Sequence, residues 1–83
     1  MILTNVERGQ LLKIVWWDSS NLNGWVYAED LVAKPKEIKS VGYVVDFNDD
    51  AVMITPGTSE SGGVITPLTI PTCCIQRYNI LDN

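Results

Sequence analysis

Histidine is absent from the 83 residues, and the only two cysteines, Cys73 and Cys74, are neighbours in sequence. Without an imidazole, a Ser/His or Cys/His nucleophile–base pair has no base. A zinc site built from His and spaced Cys pairs lacks its ligands. Adjacent cysteines suit a disulfide poorly, so no covalent staple is expected. Positive charge is also scarce, with six Lys and Arg against ten Asp and Glu and a net charge of −4. A surface of that sign repels nucleic-acid phosphates at long range, which argues against DNA or RNA as the partner. No apolar run approaches the roughly 20 residues of a membrane span. Met1-Ile2-Leu3 has no basic segment before it and Glu7 follows, so neither a signal peptide nor a membrane partner is expected. Two unpaired thiols fit a reducing cytoplasm.

What the chain does have is β-forming sequence. Ser40 to Thr55 reads as a hairpin: two runs rich in β-branched and aromatic residues flank the turn-prone Asn48-Asp49-Asp50. Val41, Tyr43, Val45 and Phe47 alternate onto one face, with Val52 and Ile54 apolar on the return strand. Gly42 marks a bulge or sharp bend in the first strand. Gln10 to Trp17 is a second strand, with Leu12, Ile14 and Trp16 on one face and Leu11, Val15 and Trp17 on the other. A strand apolar on both faces is covered on both faces.

Met1 to Gly9 fits either an edge strand or a packed tail. Asp18 to Gly24 is a loop, after which Trp25, Val26 and Tyr27 return to the core. Tyr27 to Val32 has room for one or two helical turns before Pro35 stops them. Lys34, Lys36 and Lys39 cluster around Glu37 and read as a solvated linker, with a local basic patch as the alternative. Val64 to Ile70 is a strand that Pro67 confines to an edge or a bulge, with Val64, Leu68 and Ile70 on one face. Pro71 to Cys74 is a tight turn of 3₁₀ type, and Ile75 to Leu81 closes the domain. In this last strand Tyr78 and Ile80 share one face, and Ile75 and Leu81 share the other with Arg77. Some five short strands and one brief helical segment in a single domain predict a mainly β fold: a small, bent antiparallel barrel of the SH3-like or Sm-like kind. An open sheet covered by the helix is the alternative.

A chain this small buries a limited share of its surface, and oligomerisation is a common remedy. With 46% apolar residues and no staple, a homo-oligomer is expected, joined through part of Leu11, Val15, Trp17 and Leu81. Cys73 and Cys74 read as structural thiols, since free cysteine behaves as a small, buried apolar residue. At least two of Trp16, Trp17 and Trp25 read as core aromatics; Trp17, on Lys13's face, is the one expected to be exposed.

Chemistry is thin. Asp46 to Asp50 imitates the start of a calcium loop, but Ala51 stands where that loop needs Gly and Gly57 where it needs Glu. No spacing selects two carboxylates as acid and base. The chain reads as non-enzymatic, with no cofactor and no metal. If it holds a small anionic nucleotide, Trp17 or Tyr43 offers a face for the base and Lys13 and Arg77 offer charge. The loop Pro56 to Gly63, with Thr58, Ser59 and Ser61, offers hydroxyl and backbone donors. The plainer reading of that loop is a mobile hairpin connection.

The ordered set Trp16-x-Asp18, Gly24-Trp25, Asp30-Leu31, Val41-Gly42-Tyr43 and Thr69-Ile70-Pro71-x-Cys73-Cys74-Ile75 resembles a group of very small proteins encoded by bacteriophages. The resemblance runs from roughly Leu11 to Ile80, and the loops Asp18 to Gly24 and Pro56 to Gly63 match no part of it. It carries over no catalytic residue. It implies a phage accessory protein acting on host defence in the cytoplasm of the infected bacterium. Such a protein sequesters a nucleotide immune signal, a cyclic oligonucleotide or an ADP-ribose derivative, as a sponge, or binds a host defence protein directly. A nucleic-acid-binding Sm-like module is a third reading and fits the charge poorly.

Overall fold

The computed structural model describes residues 3–19 and 24–81. Ile2 of the N-terminal stretch and residues 20–23 of the expected loop lie outside the described residues. Leu11–Asp18 forms strand β1, free of Gly and Pro and built from aliphatic, β-branched and aromatic residues that suit a pleated surface. β2 (Lys36–Phe47) and β3 (Ala51–Thr55) make the expected hairpin. Asn48 closes its turn: Oδ1 accepts hydrogen bonds from the backbone N–H of Asp50 at 2.8 Å and of Ala51 at 2.9 Å. β4 (Gly57–Thr58) and β5 (Val64–Ile65) form a separate small ribbon, followed by β6 (Leu68–Pro71) and β7 (Ile75–Ile80). The expected strand from Val64 to Ile70 is thus two strands, broken where Thr66 takes a φ of 40° ahead of Pro67.

The other five strands form one antiparallel sheet in the order β6-β3-β2-β1-β7. A 3₁₀ turn, Thr72–Cys74, joins β6 to β7, which are the opposite edges of that sheet. So short a connection between opposite edges requires the sheet to curl back toward itself. β6 and β7 share no ladder, so the sheet curls without closing.

The core lies on one face of this curled sheet. Leu12, Ile14 and Trp16 of β1 meet Val44, Val52, Ile54, Ile70 and Ile75, all buried, with Ile38, Tyr78 and Ile80 packed against them. The N-terminal stretch is a packed tail. Val6 is buried, Gly9 N–H donates to Val44 O at 2.8 Å, and Thr4 N–H donates to the Tyr78 hydroxyl at 2.8 Å.

Several expectations need correction. Before its bulge, the first strand of the hairpin presents its other face to the core, while Val52 and Ile54 of β3 face inward as expected. β1 pairs Leu12 with Gly42, Ile14 with Ser40 and Trp16 with Ile38, so Val41 and Tyr43 point outward and are exposed. β1 carries the larger inward side chains, and its partner's parity follows from theirs. The bulge falls at Val45, where the β2–β3 register shifts, and not at Gly42. It returns Phe47 to the face of Val52, at the rim of the core. Gly42 serves close packing instead: a Cβ there would stand 2.9 Å from Thr55 O. A register shift at Gln76 likewise brings Ile75 into the core beside Tyr78 and Ile80, away from the face of Arg77. Trp25, Val26 and Tyr27 do not return to the core; all three are exposed. The expected helical turns over Tyr27 to Val32 amount to one exposed 3₁₀ turn, Ala28–Asp30. Lys36 and Lys39 belong to β2 and not to a linker.

Candidate functional site

The outer face of β1 is the face opposite the core. Strand alternation places Leu11, Lys13, Val15 and Trp17 on it. Direct partners in an antiparallel ladder share a face, so the register supplies their neighbours. Val15 lies between Lys39 of β2 and Arg77 of β7. Lys13 lies between Val41 and Asn79, Trp17 faces Glu37, and Tyr43 faces Leu11. Adjacent strands put Lys39 and Arg77 about 10 Å apart at Cα, with Lys13 about 7 Å along β1 from Val15. Val15 is only 3% exposed although it sits on the outer face. Its neighbours there are Lys13, Trp17, Lys39 and Arg77, and long basic side chains lay their aliphatic stems over apolar surface while the charged heads stay in water. Val15 is therefore already covered and cannot be the oligomer contact expected from the sequence.

The three cations have no carboxylate partner among the described residues. Among the described residues the one ion pair is Arg8–Asp46, at 2.8 Å. Glu37, the nearest acid by register, accepts a hydrogen bond from Gln76 Nε2 at 3.3 Å. Lys13, Lys39 and Arg77 thus form a basic patch on an acidic chain, with the 39% exposed indole of Trp17 at one end.

The structure brings Lys13, Trp17 and Arg77 together on one face, with Tyr43 at its far end, six residues or about 20 Å along β1 from Trp17. Thr58, Ser59 and Ser61 lie elsewhere, in the β4–β5 ribbon. Buried Thr55 anchors that ribbon by accepting a hydrogen bond from Ile65 N–H at 3.2 Å, and Tyr43 is Thr55's partner in the β2–β3 ladder. The ribbon therefore stands at the Tyr43 end, away from Trp17. Its donors serve itself: Ser59 N–H donates to Gly63 O, Gly62 N–H to Ser59 O, and Gly63 N–H to Ser59 Oγ, which also lies 3.1 Å from Ser61 Oγ. Lys39 is the residue that sequence reasoning missed. The alternation Glu37-Ile38-Lys39-Ser40-Val41, continuous with the hairpin, is the signal that carries β2 back to it.

Trp17 also borders a groove of about 910 Å³ on its other side, lined by Val26, Leu31, Val32, Pro35 and Cys74 among others. At this groove Cys73 is exposed and Cys74 half-buried, with their sulfurs 3.9 Å apart. The Cys73 contact, with desolvation next, pushes the Cys74 thiol above its ordinary range, so it stays protonated at neutral pH. The reading of both cysteines as buried structural thiols therefore fails for Cys73. Among the described residues no three His, Cys, Asp or Glu side chains converge as a metal site would require. No helix among the described residues is long and apolar enough to cross a membrane. Comparison with known proteins finds no matching family model, no matching curated protein and no matching solved structure.

Proposed function

We propose that this chain is a non-enzymatic binding module that sequesters a small anionic nucleotide on the outer face of β1, β2 and β7. The observation that carries the reading is the set Lys13, Lys39 and Arg77, without an ion-pair partner among the described residues, beside the Trp17 indole. Cations close enough to share one phosphate-bearing ligand repel each other, and an anion relieves that repulsion. The indole supplies a π face on which a base can stack. The acidity of the whole chain is no obstacle, because a local patch sets the field its ligand meets.

The strand order and the 3₁₀ turn ahead of the last strand support an SH3-like barrel left partly open. With the bacteriophage resemblance, the reading becomes a phage accessory protein that removes a nucleotide immune signal in the cytoplasm of the infected host. The experiment is a titration of the purified protein with cyclic di- and trinucleotides and ADP-ribose derivatives, followed by calorimetry and thermal shift. A ligand held at about 100 times its dissociation constant should add roughly 2.7 kcal/mol of stability. Lys39→Ala and Arg77→Ala should each weaken binding about tenfold or more, since hydrogen bonds to charged groups contribute about 1.5–3 kcal/mol. If no member of the panel binds, or if both variants bind as the parent does, the reading fails.

One observation favours a second reading, direct blockade of a host defence protein: the apolar groove on the other side of Trp17. Capture of a single defence protein, lost in Leu31→Lys and kept in Arg77→Ala, is the result that this reading requires.

A further inference from the structure

The segment between the first 3₁₀ turn and β2 reads Asp30-Leu31-Val32-Ala33-Lys34-Pro35. Its charges are self-complementary. Laid antiparallel against a copy of itself about Val32, Asp30 of each strand meets Lys34 of the other. Its backbone is ready for such a partner. Leu31 is extended (φ −100°, ψ 142°), and residues 31–35 belong to no ladder. Leu31 N–H bonds back to Ala28 O, and Val32, Ala33 and Lys34 make no backbone hydrogen bond among the described residues. An extended run with free N–H and C=O groups is a template for another strand. Pro35, which has no N–H, ends the template where β2 is about to begin.

The side chains around it are apolar and unusually bare. Val32 is 79% exposed, Tyr27 75% and Trp25 fully exposed. An aromatic side chain offers about 150–250 Å². Trp25 and Tyr27, with Leu31 and Val32, therefore bring the patch near the roughly 800 Å² per partner of a standard stable interface.

We propose that residues 30–34 pair with the same segment of a second copy of this chain, in a short antiparallel ladder across a two-fold axis at Val32. Such an isologous contact is self-complementary by construction: each residue meets in the partner the residue that its own copy meets in return. It pairs the N–H and C=O of Val32 with those of the partner's Val32 and the Lys34 N–H with the partner's Asp30 C=O, covers Trp25 and Tyr27, and sets its register by two symmetry-related Asp30–Lys34 pairs. It leaves Lys13, Lys39 and Arg77 outside the contact, so it stands independently of the nucleotide reading.

The test is sedimentation equilibrium of the full chain from about 1 to 100 μM, a range chosen to bracket a modest dissociation constant. The parent should be a dimer at the upper end. Asp30→Lys and Lys34→Asp should each weaken the dimer about tenfold or more, because each sets like charges against each other twice. The double variant, Asp30→Lys with Lys34→Asp, should recover the parent's dissociation constant. Both charged positions, Asp30 and Lys34, are exposed in the single chain, and unchanged far-ultraviolet circular dichroism checks that each variant folds. A monomeric parent across the whole range, single variants that associate as the parent does, or a double variant that fails to recover would each overturn the proposal.

Discussion

Three tryptophans close together in sequence meet three different environments. Trp16 is buried in the core, and its indole N–H donates to Ser40 Oγ at 3.1 Å, which removes the penalty of burying a donor. Trp17, one step along the strand, is turned to the opposite face by the pleat and is partly exposed. Trp25 touches nothing that shields it. Only one of the three is a core residue, where the sequence led us to expect two. Alternation within β1 could be read from the chain, but the burial of Trp25 depends on where the loop before it lands, and no local pattern encodes that. The single ion pair among the described residues gives a test at the same scale. The Arg8 guanidinium, donating to Asp46 Oδ1 at 2.8 Å, and then the Phe47 backbone N–H hold the Asp46 carboxyl below its ordinary range. A carboxyl depressed in the folded state adds stability that is present above its unfolded pKa and is lost as pH falls through its folded value. Arg8→Ala should therefore move the Asp46 titration upward in carbon-detected NMR. The variant's stability deficit should be visible near neutral pH and vanish in strong acid. Both partners are well exposed, so the effect is small and weakens with salt. An Asp46 titration unchanged by the substitution would show that the contact does not persist in solution.

At the scale of elements, what the sequence encodes locally came through. The first strand, the Asn48 turn and the 3₁₀ turn after Pro71 rest on alternation, side chain-to-backbone bonding and a fixed proline φ, and each stands within a residue or two of its expected place. The faces of β2 did not come through. Read alone, Val41, Tyr43 and Phe47 make the better apolar face. Paired with β1, they yield to a register in which the smallest residue, Gly42, faces inward opposite Leu12. The same cause hid Lys39, whose place beside Arg77 exists only once β2 and β7 flank β1. Gly42 is accordingly a packing residue. A methyl group added there would lie 2.9 Å from Thr55 O and 3.1 Å from Ile54 Cβ, so backbone must shift. Gly42→Ala should cost about 1–3 kcal/mol, at about 4–8 °C of Tm for each kcal/mol in a domain of this size. A Tm within a degree of the parent's would mean that β2 and β3 separate at little cost there.

Over the whole molecule, charge is sorted and not merely summed. The net −4 hides a face on which three cations meet no acid among the described residues, while Asp49, Asp50 and Glu60 are exposed at turns. Three of the four residues of the candidate site were legible by type: Lys13, Trp17 and Arg77 had been singled out, and the sheet joined them to Lys39. The hydroxyl-bearing loop was not part of it, because a ribbon that satisfies its own donors shows no trace of that in composition. The position of β1 has a further consequence, which concerns time. The strand lies second from an edge of the finished sheet and is paired on one side by β2 and on the other by β7, with Thr4 bonded to Tyr78 across 74 positions. On the ribosome its partners arrive far apart. At about 5–20 residues per second, the stretch between the end of β1 and the start of β7 takes roughly 3–11 s to make. Throughout that interval a strand apolar on both faces, with Lys13 as the one charge in its interior, has an edge with nothing to pair with. Nascent chains halted before Ile75 should therefore aggregate or recruit a chaperone, and release of the completed β7 should end both. Ribosome-bound chains ending before or after residues 75–80, each followed by a linker long enough to carry it clear of the exit tunnel, would show the change as a step in protease resistance, and equal resistance in both would place the stabilising event elsewhere.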